Sequence, residues 1–177
     1  MPDRRVASGL LLDAMLQWDR QGNTPIWMNP PVLRWSQQLL NSFRHWMGRE
    51  LITRSGSSLR DAEILFTAPF VVVSHGNEPD PILNYGNHAA LRLWAMEWDQ
   101  FTRTPSRMTA EPVHREERRR ILERAQARGY VEGYRGVRIS ATNHRFLVID
   151  AILWNVLDDQ GCYLGQAAMF QQWEEVC

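Results

Sequence analysis

Cysteine, net charge and long apolar runs are what these 177 residues have least of, and each shortage excludes something. Only Cys162 and Cys177 are present, and neither belongs to a CxxC pair. That argues against a zinc ribbon or a thioredoxin-type site. Two thiols also make no disulfide framework, so a reducing cytoplasm is the expected compartment. The 20 basic and 20 acidic residues cancel. The general electrostatic footprint of a nucleic-acid or anionic-membrane binder is therefore missing. No apolar stretch approaches the ~18 residues needed to span a bilayer. The early run Gly9–Leu12 is broken at Asp13, so it does not read as a signal peptide. No internal repeat or low-complexity tract is visible.

What is present is aromatic. Eight tryptophans are a high number, and most are expected in the core because large rings carry large burial energies. Val6, Leu10, Leu11, Met15 and Trp18 recur at helical spacing and predict a short helix over 6–18. Residues 19–31 hold Gly22, Pro25, Pro30 and Pro31 and read as a linker. The clearest helix spans 32–50, with Val32, Trp35, Leu39, Phe43, Trp46 and Met47 on one stripe. Ser55-Gly56-Ser57-Ser58 ends that unit.

Beyond residue 63 the texture changes. Ala68–His75 reads as a buried strand, Gly76–Pro81 as a turn and Ile82–Tyr85 as a second strand. Asn87 caps a helix running to about Met96. Residues 98–111 are irregular with a short helical turn. Residues 112–128 form a charged helix with an Ile121, Leu122, Ala125 stripe, stopped by Gly129. Three strands close the chain: Tyr130–Ser140, Arg145–Leu157 and Cys162–Trp173.

Strands with helices inserted between them predict an α+β domain with an antiparallel sheet covered on one face. The strand Phe146–Leu157 is apolar on both sides. Plain alternation puts Phe146, Val148, Ile152, Trp154 and Val156 on one face, with Leu147, Ile149, Ala151, Leu153 and Leu157 on the other. A sheet with one wet face alternates apolar and polar, so the second face needs a cover. The 32–50 helix or a second subunit could supply it. The expected organisation is an extension at 1–29, a helical cap at 30–62 and a sheet-bearing core at 63–177.

The stretch APFVVVSHGNEPDPILNYGNHAALRLW resembles the first half of a PAS domain. The tail GYVEGYRGVRISATNHRFLVIDAILWNVLDDQGCYLGQAAMFQQW resembles the three closing PAS strands. The finer motifs SHGNEPDPILNYGN, FTRTPSRMTAEP and YRGVRIS, preceded by a helix like 32–50, resemble the MEKHLA family over residues 30–174. The resemblance implies a PAS-like five-stranded antiparallel sheet with helices on one face and N-terminal helices over the other. It also implies a sensory or interaction module. The family occurs alone in bacteria and at the C-terminus of plant homeodomain–leucine-zipper regulators. No homeodomain or zipper lies in these residues, so direct DNA binding is not carried over, and no membrane association is expected.

PAS-like folds hold ligands between the inner sheet face and the middle helices. Here that cavity is expected to draw on Trp94, Trp98, Phe101, Met108, Tyr134, Arg138 and Trp154, unless these rings simply fill the core. Ser106 and Arg107 add a hydroxyl and a guanidinium in a stretch that continues to Thr109 and Glu111. Arg107 could pair with a ligand carboxylate. The alternative is that Ser106, Thr109 and Glu111 cap the next helix while Arg107 meets an internal acid.

His75, Asn77, Glu78 and Asp80 gather potential metal ligands in no recognisable zinc or calcium order, so turn chemistry is the better account. His114 sits beside Glu116 and Glu117 in a first helical turn, where haem ligation is not expected. Residues 87–97 hold no cysteine, so no light–oxygen–voltage flavin adduct is expected. The arginines at 115, 118, 119, 120, 124 and 128 alternate with Glu116, Glu117 and Glu123 and read as a solvated helix.

No catalytic constellation stands out. The expected partners are an unknown small molecule and either a second copy or a signalling protein. The rivals are a small enzyme using Arg107 and Glu111 and a purely structural dimerisation domain.

Overall fold

A computed structural model describes residues 24–177. The helix expected at 6–18 lies outside the described residues. Helix α1 spans Pro30–Met47. Its two prolines occupy the first turn, where a missing N–H is harmless. Gly48, with φ 67°, closes it by donating to Arg44 O. Leu39, Leu40 and Phe43 on its stripe are fully buried.

A second helix, α2 (Ser58–Phe66), occupies a stretch for which the sequence suggested only a boundary. Ser57 caps it by accepting from Arg60 N. Ala62, Leu65 and Phe66 are its buried side. Asp61, 2% exposed, ties down the preceding loop. Its carboxylate accepts from Arg54 Nε at 2.7 Å, Ser55 N at 2.7 Å and Ser55 Oγ at 2.8 Å.

The sheet comprises β1 (Val71–His75), β2 (Leu83–Gly86), β3 (Tyr130–Ile139), β4 (Arg145–Leu157), β5 (Tyr163–Phe170) and β6 (Gln172–Val176). All pairings are antiparallel, in the order β2-β1-β5-β4-β3. The sixth strand continues β5 alongside the first half of β4. Ile152 pairs with Met169 and Ile149 with Gln172, so the register runs through unbroken. Where one terminal strand was expected there are thus two, joined at Gln171. The exposed thiols of Cys162 and Cys177 sit at the two ends of this ribbon.

The sheet is buried on both faces, as the sequence required, but the alternation along β4 is not plain. Asp150 adopts a left-handed conformation, φ 53°, and the parity of the strand shifts there. Val148, Ala151 and Leu153 consequently share the inner face. Trp154 turns to the outer one, where it meets Phe43 edge-on at 5.0 Å.

Helix α1 is the cover for that outer face. Trp154 Nε1 donates to Leu39 O at 3.3 Å, Trp46 Nε1 to Asn155 O at 2.9 Å, and Leu157 N to Ser42 Oγ at 2.8 Å. Trp35 Nε1 reaches Ser74 Oγ on β1 at 2.8 Å. Helices α1 and α2 therefore share one contiguous core with the sheet.

The inner face is covered by α3 (His88–Trp94), α4 (Trp98–Phe101), a 3-10 turn at Ser106–Thr109 and α5 (Pro112–Arg128). Helix α5 ends where Gly129 takes φ 96°, and a Cβ there would lie 2.3 Å from a ring carbon of Trp46. Glycine is demanded both by the turn and by the ring. No helix among the described residues is long and apolar enough to cross a membrane.

Asn87 joins the pieces. It is wholly buried, and all its side-chain hydrogen-bonding capacity is engaged. Oδ1 accepts from Val72 N at 3.0 Å and from Ala90 N at 3.2 Å. Nδ2 donates to Phe70 O at 2.7 Å and Leu65 O at 3.3 Å. The residue expected only to cap a helix also holds α2 and β1 in place. Asn87→Ala would orphan buried donors and acceptors, and the expected loss is about 2–4 kcal/mol, measured by urea denaturation. Asn87→Asp is expected to recover little, since a carboxylate would face the Leu65 and Phe70 carbonyls.

Candidate functional site

Between the inner sheet face and the covering helices lies a cavity of about 70 Å³, room for about five waters. Alternate residues of the paired strands build its floor. Val73 and Leu153 both pair with Ala168, Phe170 lies against Val71, and Tyr134 lies opposite Ala151. Trp94 closes one side, edge-on to Phe146 at 5.1 Å and to Phe170 at 6.2 Å. Phe101, Leu83 and Leu122 add apolar wall. Gly86 is needed beside Phe101, since a Cβ there would come within 2.7 Å of the ring.

The polar groups come from six elements. Arg138 on β3, 9% exposed, donates to Val137 O at 2.8 Å and to Tyr134 Oη. Its guanidinium also lies 5.3 Å from the Tyr134 ring centre. Arg118 on α5 donates to Ser106 Oγ. Burial, reinforced by the charge of Arg138, pushes Arg118 down to about 10. Ser106 is held in turn by its N–H to Pro81 O at 2.7 Å.

His75, at the end of β1, is 7% exposed. Its Nδ1 lies 2.8 Å from Gly76 O and so carries the hydrogen. Its Nε2 has no partner. Gln166 lines the same wall, but its amide nitrogen already donates to Leu122 O at 2.8 Å and Asn155 Oδ1 at 3.4 Å. Trp94 Nε1, also in the wall, is likewise unpartnered.

The cavity opens at His75, Arg118, Leu122 and Gln166 into a surface groove of about 450 Å³ between the Gly76–Pro81 loop and α5.

Of the residues that sequence reasoning gathered, Trp94, Phe101, Ser106, Tyr134 and Arg138 line this cavity. Four do not. Trp154 lies on the opposite sheet face, because the Asp150 kink reverses the expected parity. Trp98 turns toward Tyr85, at 6.0 Å, and Phe66, at 6.3 Å. Met108 is exposed. Arg107 points outward at the groove and pairs with Asp80 at 3.1 Å.

Glu111 bonds Arg145 through Nη2 at 2.6 Å, so it is not in the cavity either. Thr109 Oγ1 donates to Ser106 O rather than capping α5. His114 is partly buried and lies outside the cavity wall. No group of histidine, cysteine and carboxylate able to hold a metal occurs among the described residues.

Two site residues escaped the sequence reading. Arg118 was placed with the solvated charges of its helix. Yet it lies four residues before Leu122 and seven before Ala125, on the buried stripe. His75 is expected at the end of a buried strand, and so it is, but the sequence favours turn chemistry for its ring, which in fact lines the cavity.

Burial holds the His75 imidazole below its ordinary 6.5, outweighing the Gly76 carbonyl bond that pulls the other way; the Arg118 charge adds to the lowering, while the Glu78 charge and the Gln166 side chain beside the ring oppose it. The unfolded chain takes up this proton near the ordinary value and the folded chain only at lower pH. The neutral ring's contribution to stability is therefore complete above that value and lost as pH falls below it. Urea unfolding from about pH 7 to about pH 5 should show stability falling more steeply for the wild type than for His75→Gln. Equal slopes would remove His75 as a source of the pH dependence.

The comparisons with known proteins agree with this architecture. Among curated proteins, none matches the chain in sequence. Among solved structures, the PAS domain of a protein from Colwellia psychrerythraea is similar, at TM-score 0.56 and 12% identity, over 66% of this chain and 94% of that one. An RNA-binding light–oxygen–voltage receptor is similar at TM-score 0.52 and 18% identity, over 69% of this chain and 36% of the receptor. At such identities the likeness is one of fold. The fold is thus that of PAS and light–oxygen–voltage domains. The MEKHLA domain model matches residues 33–175, and the chain belongs to the MEKHLA domain family.

Proposed function

We propose that the protein is a sensory module that binds a small molecule in the inner cavity and reports its presence to a second copy or a signalling partner. The observation that carries this is the pair of unpartnered buried atoms, His75 Nε2 and Trp94 Nε1, in one cavity wall. Buried polar atoms are ordinarily paired. A bound molecule would satisfy an acceptor and a donor that the protein leaves open. Such a mostly apolar hollow with a few convergent polar groups is the usual form of a small-molecule site.

An output route is available in the same wall. Phe170 lines the cavity and meets Trp173 edge-on at 6.0 Å. Trp173 is exposed on β6, where a partner could read a shift of the Phe170 ring.

Filling the hollow tests the reading. Ala168→Phe places a ring on the cavity floor. Native mass spectrometry should find a bound small molecule on freshly purified wild type, or a thermal shift with a cell-extract metabolite pool. Neither should occur with Ala168→Phe, provided its circular dichroism is unchanged. A wild type that carries no extra mass and is unmoved by the pool would overturn the proposal.

A further inference from the structure

The charges around the cavity do not balance. Arg118 and Arg138 both reach its wall, and their hydrogen-bond partners are all neutral: Ser106 Oγ, Val137 O and Tyr134 Oη. No acid is hydrogen-bonded to either guanidinium among the described residues; Asp80 and Glu78 lie along the adjoining groove, where Asp80 acts on Arg118 only through space and Glu78 accepts from Ile82 N. Asp80 pairs with Arg107, Glu111 with Arg145, and Glu116 with Arg119 and Arg120. Two guanidiniums in one partly dry hollow repel each other, and a buried charge without a counter-charge is costly. An anion entering from the groove would relieve both. The guanidinium fork matches a carboxylate in shape as well as charge.

A second imbalance narrows the chemistry. His75 Nε2 is a bare acceptor, because Nδ1 is turned to Gly76 O. It needs a donor on the ligand. An ammonium would add a third cation beside two arginines, whereas a hydroxyl donates without charge. The volume of about 70 Å³ admits only a handful of heavy atoms.

Building on the ligand-cavity reading above, we propose that the ligand is a small hydroxy acid. Its carboxylate is shared by Arg118 and Arg138, and its hydroxyl donates to His75 Nε2.

Titration calorimetry and thermal shift on the full chain test this with lactate, lactamide, propionate and inorganic phosphate. Lactate should bind and raise the melting temperature. Lactamide, which keeps the shape without the charge, should bind about tenfold more weakly or not at all, a loss of about 1.4 kcal/mol. Propionate, without the hydroxyl, should fall between them. Arg118→Gln and Arg138→Gln should each weaken lactate by about tenfold or more. His75→Leu should erase the preference for lactate over propionate. Where Arg138→Gln does not fold, Arg138→Lys keeps the charge, loses the fork and should still weaken lactate.

Lactamide binding as well as lactate would overturn the acid class while leaving the ligand cavity standing. Binding of phosphate with no binding of lactate would make the site one for inorganic anions and overturn the hydroxy acid. If no probe binds while native mass spectrometry still finds a retained molecule, the proposed class fails alone. If no probe binds and nothing is retained, the cavity reading fails with it.

Discussion

Trp154 packs under α1, with its indole nitrogen on Leu39 O and its ring edge-on to Phe43. Neighbouring side chains on a strand point to opposite faces, so this one placement sends Leu153 inward. Leu153 pairs with Ala168 and Tyr134 with Ala151, so the cavity floor follows from the same register. A slip by one residue would bury the floor beneath α1 and aim Trp154 into the hollow. The helix packed on the outer face thus sets the geometry of a cavity that it never touches.

Polar groups between the layers fall into two kinds. Asn87, Asn155 and Gln166 are buried amides that bond to main-chain atoms of adjoining elements: Asn155 to Gln126 O, Gln166 to Leu122 O. Each fixes a helix against a strand at a defined height. His75 Nε2 and Trp94 Nε1 do no such work, and both belong to residues that line the inner cavity. Tyr85 Oη and Glu50 Oε2 also lack a hydrogen bond, but away from the cavity, so the cavity residues hold two of the four such atoms among the described residues.

Much of the scaffold was legible in the chain because period and punctuation agreed. Pro31 suited the first turn of α1, Gly129 stopped α5 and Asn87 capped α3, whereas Gly48 ends α1 inside the stretch that reads as continuous helix. The apolar character of both β4 faces required an outer cover, and α1 provides it. The short helix α2 was missed because its serine-rich start looked like a terminator. Ser57 is in fact the cap, and Leu65 and Phe66 are the buried side. The site was less legible for two physical reasons. A left-handed residue at Asp150 inverts strand parity without any glycine to announce it. Arg118 hides within a helix whose other charges pair along its own exposed face, as Arg119 does with Glu116 and Glu123.

The exposed thiols at the two ends of the β5–β6 ribbon have an experimental consequence. Neither has a partner in its own chain among the described residues, and both are open to solvent. In air-oxidised solution two molecules can join through them by a covalent bond that owes nothing to surface complementarity. A dimer seen without reductant is therefore a statement about redox chemistry first. Only an assembly that persists with the thiols reduced or replaced by serine speaks to non-covalent self-association.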